Sequence, residues 1–254
     1  MKKHLLALLI TFSTIIVLGG ELDKSYYFST PDIEQLGDYQ LIQFDDCLLS
    51  GHIGEPAMPW YAVKLLLPPG EKAVSFSVEG LAEQSIDGSY HIYPRQASRP
   101  LSEGPSGSFN YDKSVYRSTD QYPLNPHGII TTEYMNGYSI AILNICPLAY
   151  TPKDGKLSFY SEMKVKVKTK QDNESEKALS LISNEPIITK RIREFVQNPE
   201  ALATYPARAS RTDDYERLII TPQQFESEFT EMIDLYIQHG METEIATVED
   251  INTS

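Results

Sequence analysis

Residues 138–169, YSIAILNICPLAYTPKDGKLSFYSEMKVKVKT, decide the fold. Residues 129–134 and 138–146 read as strands on either side of Asn136-Gly137, a strong two-residue hairpin turn. Pro152-Lys153-Asp154-Gly155 turns the chain again before a strand over 157–160. Met163, Val165, Val167 and Thr169 then alternate with Lys164, Lys166, Lys168 and Lys170. That period of two predicts a half-buried strand. The lysine row reads as its wet face, at a sheet edge protected by charge, rather than as an anion-binding stripe.

Outward from this stretch, residues 21 to about 170 read as short strands separated by turn chemistry, with Val74, Phe76 and Val78 alternating with polar positions. The predicted fold class is mainly β, an antiparallel β-sandwich followed by an incomplete α/β fragment. Residues 95–127 are rich in Ser, Gly, Pro and Tyr, carry Arg95, Arg99 and Arg117, and show little periodicity. A loop of that length is either functional or a mobile surface segment.

After Lys170 the chain becomes polar and acidic (171–177), then briefly apolar (178–182). Residues 187–196 predict a basic amphipathic helix with Ile188, Ile192, Phe195 and Val196 inward, ended by Pro199. Residues 201–212, ALATYPARASRT, read as an exposed linker, with Arg208 and Arg211 as positions for a trypsin-like processing cut. Residues 214–221 (DYERLIIT) then predict a buried parallel strand, 222–239 an amphipathic helix, and 243–248 a second strand. Thr221 is the expected N-cap, Pro222 the first helical residue, Gln224 the capping-box partner and Gly240 the left-handed C-terminal residue. Phe225, Phe229, Met232, Ile233, Tyr236 and Ile237 form one apolar stripe. A single strand–helix–strand cannot bury its own faces, so this segment is expected to be the truncated start of a larger α/β domain.

The amino terminus is a leader by pattern. Lys2 and Lys3 form a basic n-region, residues 5–18 are apolar or small, and Val17 and Gly19 suit the −3 and −1 positions of a signal peptidase site. The apolar run is short for a membrane span. An exported protein is expected, periplasmic, cell-surface or extracellular, with no transmembrane span after cleavage. Removing the two lysines takes the formal charge from −13 to −15. So acidic a chain is a poor partner for nucleic acid, whose phosphates must be neutralised by Lys and Arg. Cys47 and Cys146 could pair in an oxidising compartment, or remain free, since two cysteines are not a framework. The five histidines stand far apart, without a second ligand at useful spacing, so neither a metal nor a cofactor is expected.

Residues 51–70, GHIGEPAMPWYAVKLLLPPG, carry a Gly-x-Pro-x-x-Pro stretch, an apolar strand and a Pro-Gly turn. With Tyr122-Pro123, the Pro-x-x-Tyr-x-Pro turn and Leu-x-x-Tyr strand inside 138–160, and the strand at 163–169, this ordered set resembles the propeptide of gingipain-type (family C25) cysteine peptidases. Residues 214–251 resemble the opening of the caspase-like catalytic domain in that family. The chain departs from the family at Asn136-Gly137, where Arg-Gly is common.

The resemblance implies a leader (1–19), a β-sandwich propeptide domain (20–170), a helical segment and processing linker (171–213), and the start of a peptidase domain (214–254). It implies an intramolecular chaperone and inhibitor whose partner is the cognate cysteine peptidase domain in cis. The catalytic His–Cys dyad would lie downstream, so no catalytic residue is assigned and the chain alone is expected to be inactive. Arg99, or else Arg95, falls in the loop that would enter the peptidase's specificity pocket as an inhibitory arginine. Two other readings compete: a free-standing inhibitor acting in trans, and an exported β-sandwich for adhesion or glycan binding.

Overall fold

The computed structural model describes residues 20–98, 108–207 and 217–252, and the chain divides into two units, 1–206 and 207–254. The leader, Arg99, Arg208 and Arg211 lie outside the described residues.

The first unit is built on two antiparallel four-stranded sheets and a hairpin. One sheet sets β1 (Glu21–Tyr27) and β6 (Glu71–Ile86) on either side of β10 (Lys156–Gln171), with β9 (Leu148–Thr151) pairing the start of β10. The other runs in the order β4 (Cys47–Ser50), β5 (Met58–Leu66), β8 (Tyr138–Ile145), β7 (Thr131–Met135). The hairpin joins β2 (Asp32–Leu36) to β3 (Tyr39–Gln43). Buried Met163, Val165 and Val167 from the first sheet share one core with Val63, Leu65, Leu143 and Ile145 from the second.

The near-continuous apolar run of β8 follows from burial on both faces. Ala141, Leu143 and Ile145 face the shared core. Tyr138 and Ile140 face a second cluster, built with Leu66, Ile182, Ile192, Val196 and Tyr205. That outer cluster is the covering of the sheet by α2 (Asn173–Leu179), α3 (Pro186–Phe195) and a 3-10 segment, Pro199–Thr204. The predicted inward residues of α3 are all in this cluster, Ile192 being fully buried.

Two readings of the β-region change. The lysine-rich strand is β10, which has neighbours on both sides and is no edge. Its lysines still line the wet face, where Lys164 pairs with Asp23 of β1 at 2.9 Å. Val74 does not share a face with Phe76 and Val78. The register slips between Lys168 and Thr169, opposite Ser75 and Ala73, leaving Val74 as the extra residue of a bulge. Val74 is therefore exposed, while Ala73, Phe76 and Val78 pack against the core.

The stretch expected to be an exposed linker from residue 201 is docked as far as Tyr205. On one side β5 is paired by β8, but on the other β4 covers only its front, which leaves that edge of residues 62–66 without a strand beside it. Gln197 and Asn198 take that place. The Lys64 N–H donates to Gln197 Oε1 (2.9 Å) and Gln197 Nε2 donates to Ala62 O (2.9 Å). The Leu66 N–H donates to Asn198 Oδ1 (2.7 Å) and Asn198 Nδ2 returns a bond to Leu66 O (2.9 Å). Tyr205, 8 % exposed, donates to Leu67 O and accepts from the Ser139 N–H. The carboxamides mimic a neighbouring strand, since each offers a donor and an acceptor at peptide-like spacing.

In the second unit β11 (Arg217–Thr221) pairs in parallel with β12 (Thr243–Thr247), as expected. The connecting helix begins differently. Residues Gln223–Phe229 are 3-10, α4 covers Thr230–Gln238, and α5 (Val248–Asn252) follows β12. Thr221 caps nothing there, and the first free amide, that of Gln223, donates to Glu249 Oε2 at 2.9 Å. Gly240 does take the left-handed conformation (φ +76°). Leu218, Ile220, Phe225, Leu235 and Ile237 are all exposed, and among the described residues of this unit the buried ones are Thr221 and Thr247.

Candidate interface at the stem of the long loop

Gly54, the glycine of the Gly-x-Pro-x-x-Pro stretch, clamps the start of the long loop at Arg95 to its middle at Asp112. Its N–H donates to Arg95 O at 2.7 Å and its carbonyl accepts from the Asp112 N–H at 2.8 Å. The residue sits at φ +88°, and a Cβ there would stand 3.2 Å from Asp112 N, so both conformation and space select glycine. The Arg95 N–H donates to Glu55 O (2.7 Å), and Pro56 bridges Pro94. Gln96 closes the base: its Nε2 donates to Asn110 O (3.0 Å) and its Oε1 accepts from the Asn110 N–H (2.9 Å).

Beneath the stem lies an aromatic cluster of Tyr39, His91, Tyr93, Phe109, Tyr111 and Tyr116. Tyr111 and Tyr116 stack at 4.3 Å, and Tyr39 contacts His91 at 4.5 Å and Phe109 at 5.5 Å. Tyr116 donates to the buried carbonyl of Ile92 at 2.6 Å. His91 Nε2 meets the Tyr111 hydroxyl at 3.1 Å, and burial lowers the His91 pKa, which favours the neutral ring. Asp112 caps α1 (Lys113–Tyr116) by accepting from the Ser114 N–H at 2.8 Å, and those bonds hold its carboxyl below the usual range.

This part of the loop is therefore a fixed platform. Arg95 lies in its stem, half-buried, and no carboxylate pairs with its guanidinium among the described residues. Arg99 falls in the span 99–107, outside the described residues. Sequence reasoning missed the aromatic cluster because its members come from three separate segments. The available signal was the density of aromatic residues at 90–93 and 109–116.

Cys47 and Cys146 are both free. Cys47 lies opposite Tyr61 of β5, which lies opposite Ile145 of β8. Two strand spacings, about 10 Å, separate the backbones, beyond the reach of an unstrained disulfide. Burial pushes both thiols up to about 12, aided for Cys47 by Asp46 and Asp45, so neither is a nucleophile at neutral pH. Among the described residues no His, Cys, Asp and Glu cluster could hold a metal, and no helix is long and apolar enough to cross a membrane.

The family model Propeptide_C25 matches residues 27–191. No curated protein matches the chain. Among solved structures, the complex of Porphyromonas gingivalis RgpB pro- and mature domains is similar at 16 % identity and TM-score 0.55, over 71 % of this chain and 93 % of that one. A structure addressing zymogenic latency of gingipain K from the same organism is similar at 19 % identity and TM-score 0.51, over 64 % of this chain and 98 % of that one. The matched span takes in β2 through most of α3, including the Gly54 clamp, both sheets and the loop stem. The chain belongs to the gingipain-type C25 propeptide family.

Proposed function

We propose that the first unit serves as the inhibitor and intramolecular chaperone of a gingipain-type cysteine peptidase domain in an exported precursor. The observation that carries this is the order of parts around Pro206. A closed β unit sealed by Gln197, Asn198 and Tyr205 is followed by Arg208 and Arg211, then by a separate strand–helix–strand unit with exposed apolar faces. Such faces need covering by further strands and helices. In this reading residues 207–216 are the processing segment and the second unit opens the peptidase domain. The loop on its rigid stem is the inhibitory element, with Arg99 as the inserting side chain and Arg95 as the lesser candidate.

The test uses the first unit added in trans to the cognate peptidase domain, with inhibition and recovered activity after refolding as readouts. Arg99→Ala is expected to weaken inhibition about tenfold to a hundredfold, the worth of a charge-assisted contact in a pocket. An unchanged inhibition constant for both Arg99→Ala and Arg95→Ala would remove the arginine mechanism. Absence of any complex would remove the inhibitory role itself.

Limited trypsin digestion is a further check. The first cuts are expected at Arg208 and Arg211, at least about tenfold faster than at Arg191 or Arg193, because opening α3 requires exposing a buried cluster. Mass spectrometry of the early fragments reads the order directly.

A further inference from the structure

Glu71, the first residue of β6, is 8 % exposed, yet no lysine or arginine pairs with it among the described residues. Its Oε2 accepts from the Gly20 N–H at 3.3 Å and from the Thr169 hydroxyl, and Gln171 Nε2 stands 3.5 Å from Oε1. The Thr169 hydroxyl is also 3.0 Å from Gly20 O, but it has one proton to give. An ionised carboxylate buried to this degree is costly without a cation. The backbone of Gly20 is held firmly in front of it, since its carbonyl also accepts from the Thr169 N–H at 2.8 Å. The slot admits only glycine without displacement. A Cβ on residue 20 would meet Thr169 Oγ1 at 2.8 Å, Glu71 Oε2 at 3.2 Å and Pro68 Cγ at 3.3 Å.

Gly20 is also the residue that follows the leader pattern, in which Val17 and Gly19 occupy the −3 and −1 positions. We propose that Glu71, Thr169 and Gln171 form a binding site for the α-ammonium group of Gly20, created when a signal peptidase hydrolyses the Gly19–Gly20 bond. Water adds across that amide. Gly19 departs with the carboxylate, and the Gly20 nitrogen gains protons to become an ammonium. One amide donor is thereby replaced by a cation with up to three donors, facing a buried carboxylate that lacks a counter-charge. The pair ties the start of β1 to β6 and, through Thr169, to β10. Leader removal then both releases the protein and stabilises the first sheet, so the precursor gains its full stability only once exported. The proposal rests on the leader reading and is independent of the peptidase reading.

Intact-mass analysis of the exported full chain is expected to give Gly20 as its first residue, and cleavage at any other bond overturns the proposal. Thermal melts then compare four mature chains: beginning at Gly20 or with one extra alanine before it, each with Glu71 or with Glu71→Gln. With Glu71, the extra residue is expected to lower Tm by about 4 °C. With Glu71→Gln the same extension is expected to cost about 1 °C or less. Equal losses in both backgrounds overturn the ion pair. Should Glu71→Gln not fold, labelling of the α-amine by a neutral-pH acylating reagent decides. In the native chain it is expected to be about tenfold slower than in the urea-unfolded chain, corresponding to about one unit of raised amine pKa. Equal rates overturn the proposal.

Discussion

Gly137→Ala is expected to lower the melting temperature of the first unit by about 10 °C, the largest effect of any single methyl group in it. Two costs coincide at this position. Asn136 and Gly137 turn the β7–β8 hairpin at φ +50° and +89°, and an alanine at φ +89° is strained by its own Cβ. That Cβ would also lie 2.4 Å from Ile182 Cα and 2.7 Å from Ile182 N. Both are backbone atoms, and the Ser183 N–H is tied to Asn136 O at 3.1 Å, so the segment cannot step aside. Relief requires lifting the α2–α3 connection, and with it buried Ile182, from the outer face of the second sheet. The combined cost is about 3–5 kcal/mol. Circular dichroism melts measure it, and a shift under about 3 °C would contradict the packing. Asn136→Gly, which suits the positive φ of the turn and keeps the backbone bond to Ser183, is the matched control.

Asn198→Ala is expected to cost about 3–4 kcal/mol, close to 9 °C in Tm. Leu66 is fully buried, and its amide and carbonyl are both satisfied by the one carboxamide, at 2.7 and 2.9 Å. Truncation orphans both groups where water cannot reach them, at about 1–3 kcal/mol each. Asn198→Asp is expected to be comparably damaging, because a carboxylate has no donor for Leu66 O and would be buried as a charge. Gln197→Ala is expected to cost less, since that site is only partly buried. A second readout separates this from general destabilisation. In Asn198→Ala the first tryptic cuts should spread upstream from Arg208 to Arg193 as the seal on β5 loosens. A variant that melts lower but is still cut first at Arg208 would show that the seal acts only through global stability.

The parts legible from the sequence are those whose signal is local. Asn136-Gly137 specifies its hairpin because two adjacent residues must accept positive φ, and few other pairs do so cheaply. The alternation from Met163 to Lys170 placed the apolar row inward correctly, since the pleat enforces a period of two. The inward face of α3 and the parallel pairing of β11 with β12 were readable for the same kind of reason. The site was much less legible. Gly54 could be recognised as part of a motif, but its reach to both Arg95 and Asp112 depends on segments 41 and 58 residues away.

What the sequence determined by itself was the class of the elements with a strong local signal, such as β8, β10, α3, β11 and β12, because propensity, turn chemistry and periodicity act over a few residues. It could not determine which elements become neighbours. The lysine strand looked like an edge because charge on one face is what an edge displays, and only the pairing with β1 and β6 made it central. Val74 looked inward because a bulge, one extra residue against a partner, leaves no trace in one strand's own alternation. Residues 201–205 looked like linker because small residues followed by a proline give no apolar period, and nothing marked the polar Gln197 and Asn198 before them as docked. Docking Gln197, Asn198 and Tyr205 is stabilising only against the open edge of β5 and the residue after it, a requirement set some 130 residues earlier. Tertiary structure decided these points because hydrogen-bond satisfaction of a buried backbone is a property of the pair of segments and not of either alone.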